Sequence, residues 1–94
     1  MIDAEAARSY GLAAEVTDTE ETIQRAIEIA ELIAAKPPLA VQMAKEAILK
    51  ASDTLLEEGL LFEREAFTKL FATDDLREGI NAFLEKRKPQ FTGN

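Results

Sequence analysis

Near the end of the chain, the stretch EGINAFLEKRKPQF (Glu78 to Phe91) sets an aromatic residue, Phe83, three positions before a run of cations, Lys86, Arg87 and Lys88. An aromatic face and an ammonium at that spacing suit a purine ring and a phosphate, because the ring stacks and the cation pairs with the anion. The same residues have a plainer use. Phe83 belongs equally well in a core, and cations at a helix C-terminus oppose its dipole. Spacing alone leaves both readings open.

The other reactive side chains are few. The chain has no histidine and no cysteine, which removes Ser-His and Cys-His dyads, disulfides, thiolate zinc sites and the usual imidazole metal ligand. Acid–base work would fall to carboxylates, lysine or the single Tyr10. Glu57 with Glu58, Glu63 with Glu65, and Glu78 with Glu85 are the close acid pairs, and solvated helix faces are their expected place because acids are seldom buried unless partnered. Lys45, in VQMAKEA, would serve as a catalytic base only with a strongly lowered pKa, so a capping or salt-bridge role is expected. No catalytic residue, metal site or cofactor is expected within these residues.

Composition bounds the partners. The net charge of −7 argues against a nucleic-acid binder, since phosphate neutralisation needs a basic face and residues 86–88 are the only basic run. Residues 1–18 carry four acids and lack the cationic start and unbroken apolar run of a secretion signal. No apolar stretch is long enough to span a bilayer. The expectation is a cytoplasmic chain without nucleic-acid or membrane partners, and its 94 residues suit one small helical domain, residues 1–94.

The elements that must position these side chains read as helix after helix. Asp3 caps a short helix through AEAARSY, with Gly11 as its left-handed exit. LAAEV (12–16) alternates like a short strand but has no partner in the chain. Asp18 and Glu21 resemble a capping box ahead of a helix whose Ile23, Ala26, Ile27, Ala30 and Ile33 share one face. Pro37 and Pro38 stop it near Lys36 and start the next, which carries Val41, Ala44, Ile48, Ala51 and Leu55. Asp53 is the expected cap of a further helix through Leu56, Leu60, Phe67, Leu70 and Phe71. Thr73 with Asp74 and Asp75 opens the last helix, and Pro89 ends it. Glu21–Arg25, Glu46–Lys50 and Glu65–Lys69 are spaced as ion pairs four apart on solvated faces. Gly79, inside the last helix, calls for a packing reason such as close approach by another backbone. There is no internal repeat, low-complexity segment or Gly-rich phosphate loop.

Three blocks, MIDAEAARSYGLAAEV, KPPLAVQMAKEAILKA and LLFEREAFTKLFATDDLREGINAFLEKRKPQF, resemble in order and spacing the C-terminal region of the enoyl-CoA hydratase/isomerase proteins, the crotonase superfamily. The last block is the most specific, joining a D-x-x-E-G-I helix start to A-F-x-E-K-R-x-P-x-F.

The resemblance implies an all-α fold of four to five helices, the C-terminal helical domain of a crotonase-type protein without its ββα spiral core. LAAEV would then be an orphan strand belonging to the sheet of the missing N-terminal catalytic domain. Family members carry the oxyanion hole and catalytic glutamates upstream of this region, and an apolar residue where Met1 stands. The implied reading is an internal or truncated start, and a segment inactive by itself. In the family this region builds the trimer contact, and an aromatic and a lysine of the AF-x-EK segment touch the adenine and phosphate end of CoA. By motif position these are Phe83 and Lys86. The CoA thioester would be the parent enzyme's substrate rather than a cofactor here, held weakly by this region. The competing expectation is a free-standing helical interaction module with no enzymatic role.

Overall fold

The structure, a computed structural model, describes residues 1–94 and contains five helices and no strand. It divides into two units, Met1–Glu31 and Leu32–Asn94.

In the first unit, α1 (Ala4–Ser9) is capped as expected: Asp3 Oδ1 accepts the Ala6 N–H at 2.8 Å, and Gly11 leaves the helix at φ +77°. Within this chain, residues 12–16 form no strand. The physical reason is pairing. The N–H groups of Leu12 and Ala13 turn back to the Ala7 carbonyl at 2.9 and 3.2 Å, no second strand offers a ladder, and Glu15 is held by Arg25 at 2.7 and 3.2 Å. The Asp18–Glu21 capping box also fails to form. The Asp18 carbonyl accepts the Glu21 N–H at 3.0 Å and the Thr22 hydroxyl at 3.1 Å, making a turn after which α2 (Thr22–Ala34) begins. Arg25 bridges Glu15 and Glu28 and leaves Glu21 aside; these bonds lower the Glu15 pKa and raise that of Arg25. The isoleucine face of α2 is uncovered.

The second unit holds α3 (Pro38–Asp53), α4 (Leu56–Leu70) and α5 (Asp74–Glu85). Pro37, extended at φ −58° and ψ 119°, precedes α3 and Pro38 opens it. Asp53 is the last residue of α3 and does not cap α4. The Thr54 N–H and hydroxyl both close on the Lys50 carbonyl, at 3.0 and 2.8 Å, which carries α3 past the expected break. Leu55 then stands at the start of α4 without a side-chain cap. A shallow apolar groove follows α3 and α4, with Ala51 beside Gly59 and Ala40 beside Leu70, so the two helices run antiparallel. Glu46 accepts from Gln42 at 2.9 Å, and neither Glu46–Lys50 nor Glu65–Lys69 closes as an ion pair.

Thr73 caps α5 as expected, its Oγ1 accepting the Leu76 N–H at 3.2 Å. The helix does not run to Pro89. It ends at Glu85, where Lys86 turns left-handed (φ 54°, ψ 40°) and the Arg87 N–H returns to the Ala82 carbonyl at 3.0 Å. From there the tail folds back along α5. Glu78 accepts Arg87 through two nitrogens, at 2.6 and 2.9 Å, and the Gln90 N–H at 2.8 Å. Asp75, only 3% exposed, accepts the N–H groups of Thr92 (2.7 Å) and Gly93 (2.9 Å), while its own N–H donates to the Asn94 carbonyl at 3.0 Å. Gly93 sits at φ +83°, a conformation that L side chains resist.

Gly79 answers to this tail. No backbone approaches it, contrary to expectation; the neighbour is the Phe91 ring, 3.6 Å from where a Cβ would lie. That is ordinary contact distance, so an alanine fits. Gly79→Ala should raise stability by about 0.5–1 kcal/mol through helix propensity and reduced unfolded-state entropy; a chemical-unfolding midpoint at or below the wild-type value would contradict this.

A second expectation concerns acid. Hydrogen bonds from Arg87, then from the Gln90 N–H, hold the Glu78 carboxyl at about 2, against an ordinary value of 4.5. A folded-state pKa below the unfolded one gives stability that is complete above the unfolded value and fades as pH falls through the folded one. Wild-type protein should therefore lose more stability than Glu78→Gln between pH about 4.5 and about 2. Parallel pH profiles for the two proteins would show that the tie contributes nothing.

Candidate functional site

α5 and the tail place the two residues singled out from the sequence. Phe83 is 84% exposed on α5, so these residues do not bury it. It lines an open recess of about 310 Å³ with Leu76, Gly79, Ile80, Leu84 and Phe91. Lys86 is exposed and makes no ion pair. It belongs to the cap rather than to the last helical turn: its N–H bonds the Phe83 carbonyl at 3.3 Å, but its left-handed backbone breaks the helical relation that a three-residue spacing suggests. A lysine in this conformation costs on the order of 1 kcal/mol. The resulting Schellman-like closure offsets it.

The three cations are not equivalent. Arg87 is committed to Glu78 and Glu85, the latter at 2.5 Å, and both bonds raise its pKa. Lys86 and Lys88 are left exposed and outside any ion pair. The exposed aromatic and the uncommitted cation are joined by the cap, through the bond from the Lys86 N–H to the Phe83 carbonyl.

The remaining candidates separate. Glu78 and Glu85 do meet, through Arg87. This makes them structural acceptors. Glu57 and Glu58 sit exposed in the first turn of α4, Glu63 edges the α3–α4 groove, and Glu65 is exposed. Lys45 is exposed on α3 and closes no ion pair, so the salt-bridge expectation is not met. Tyr10 is the exposed cap of α1. No group of three or more acids is placed to hold a metal ion, and no helix is long and apolar enough to cross a membrane. The residues that sequence reasoning missed are Asp75 as a tail acceptor and Phe91 as a wall of the recess. Their partners lie 17 and 18 positions away for Asp75, beyond any helical period. The glycine after FT in the tail was the one available signal.

Comparison with known proteins places this geometry. The family model for enoyl-CoA hydratase/isomerase matches residues 1–94. The chain is 42% identical to the 2,3-dehydroadipyl-CoA hydratase of Escherichia coli (strain K12) across 98% of its own length and 36% of that protein. It is 43% identical to a probable enoyl-CoA hydratase of Rhizobium meliloti, across 97% of itself and 35% of the relative. Among solved structures, the enoyl-CoA hydratase of Bacillus anthracis superposes with a TM-score of 0.93 at 42% identity, covering 99% of this chain and 36% of that one. The chain thus spans about a third of the curated relatives it matches, in their C-terminal portion. A whole-length family match, a closely superposing helical third and identity above 40% lead to one conclusion: the chain belongs to the enoyl-CoA hydratase/isomerase family.

Proposed function

We propose that these 94 residues act as the oligomerising and CoA-capping segment of an enoyl-CoA hydratase/isomerase-type enzyme, with oxyanion stabilisation and proton transfer supplied by residues outside them. Phe83 stacks on the adenine of CoA and Lys86 pairs with a phosphate. The observation that carries this reading is an exposed Phe83 ring and, three residues on at the end of the same helix, a lysine free of ion pairs, while neighbouring Arg87 is held by two glutamates. The matches to acyl-CoA hydratases support the substrate class.

Assembly follows from exposed apolar surface. Ile23, Leu55, Leu56, Phe67, Phe71 and Leu84 all stand in solvent, and such faces mark contacts with other protein. In the parent enzyme they meet the catalytic domain and neighbouring subunits. At micromolar concentration, light scattering coupled to size exclusion should find the chain as a dimer, trimer or larger species. A strict monomer that binds no hydrophobic dye would overturn the assembly role.

The clamp is tested by separating the two ends of the substrate. One exposed stack and one exposed ion pair contribute only ~1 to 3 kcal/mol together, so free CoA should bind the chain at millimolar strength or weaker. In an enzyme made by joining the chain to the upstream part of the Bacillus anthracis hydratase, Phe83→Ala and Lys86→Ala should each weaken acyl-CoA binding roughly 2- to 10-fold. A pantetheine thioester, which lacks the adenine and its phosphates, should bind as before, and Lys88→Ala should show only a small salt-dependent effect. Equal losses for both substrates would assign Phe83 and Lys86 to helix packing instead.

A further inference from the structure

The tail presents a feature that the CoA reading does not use. Asp75 and Glu78 lie three residues apart on α5, and both carboxylates face backbone N–H groups of the tail: Gln90 on Glu78, Thr92 and Gly93 on Asp75. Between these bonds, Phe91 leans on Gly79 and forms a wall of the recess shared with Phe83. Gly93 meets Pro38, 3.5 Å from where its Cβ would lie.

We propose that residues 90–94 form a strap latched to α5 by the Asp75 and Glu78 carboxylates, and that its closure shapes the recess beside Phe83 by holding Phe91 in place. The two latches differ in kind. Asp75 is buried and serves only tail amides, so neutralising it weakens acceptance at Thr92 and Gly93 and leaves a less solvated group behind. Glu78 is half-buried and shares its oxygens between Arg87 and Gln90, so it anchors the near end of the strap through a side chain that already closes the helix. Opening at Asp75 frees the far end and Phe91 with it and releases the Asp75 N–H from the Asn94 carbonyl, while the Leu76 N–H stays capped by Thr73 and the ladder beyond it is untouched. The inference stands whether or not the recess receives a nucleotide.

The test is amide hydrogen exchange, residue by residue, on the 94-residue chain and its Asp75→Asn and Glu78→Gln variants, with fluorine-labelled phenylalanine as a second readout. Asp75→Asn should speed exchange at Thr92 and Gly93 at least ~10-fold, as expected for loss of a charge-assisted bond, and expose the amide of residue 75 that the Asn94 carbonyl holds, with α5 amides from Leu76 onward changed less than about twofold. The Phe91 and Phe83 resonances should move together while Phe62 stays. Glu78→Gln should act most strongly at Gln90, and it carries the test if Asp75→Asn fails to fold. The proposal is overturned if Thr92 and Gly93 are unprotected in the wild type, if strap and helix lose protection together in the folded variants, or if Phe83 is indifferent to the strap.

Discussion

Alanine sets the limit on what these helices do for one another. The only buried apolar residues are Ala66 on α4 and Ala82 on α5, and α3 turns Ala40, Ala44, Ala47 and Ala51 toward the groove it shares with α4. Small side chains let helices approach closely, but each buried methyl contributes only about 0.8 kcal/mol, against an ordering cost of roughly 1–2 kcal/mol per residue. The large apolar side chains, Leu55, Leu56, Phe67, Phe71 and Phe83 among them, point outward. The helices therefore leave most of their large apolar surface uncovered, and the chain matches about a third of longer relatives.

Polar contacts hold what the small core does not. Arg25 ties the irregular lead-in to α2, Arg87 ties the end of α5 to its middle, and Asp75 ties the tail to the first turn. These are of unequal value. The arginine pairs are partly exposed, and exposed pairs contribute little. The Asp75 bonds are shielded and satisfy backbone donors that would otherwise lack partners, so they weigh more per contact. This order explains how a single chain can present an exposed aromatic at a fixed place: Phe83 rides on a helix whose two ends are pinned by different carboxylates.

Much of the helix pattern was legible in the sequence because caps and prolines act locally. Asp3, Gly11, Pro38 and Thr73 do what their chemistry predicts. Residues 12–16 alternate like a strand, but a strand is a property of a pair, and no ladder partner exists in these residues. Two misread caps share a local cause. Asp18 and Asp53 have capping chemistry, yet neighbouring hydroxyls, Thr22 and Thr54, took the adjacent carbonyls and moved the helix boundaries. At the site, Phe83 and Lys86 were visible through motif position, whereas Asp75 with Thr92 and Gly93, and Phe91 on Gly79, depend on a tail that doubles back. No local period encodes that reversal.

The heat-capacity change on unfolding tests most directly whether the helices lack a core of their own. A 94-residue chain that buries a full complement of apolar surface should show about 1.1–1.4 kcal/mol/K, from ~12–15 cal/mol/K per residue. Scanning calorimetry at a dilution where the chain is monomeric should instead give a broad transition with a heat-capacity change well below that range. A sharp, cooperative transition at the full value in the monomer would contradict a fold completed from outside.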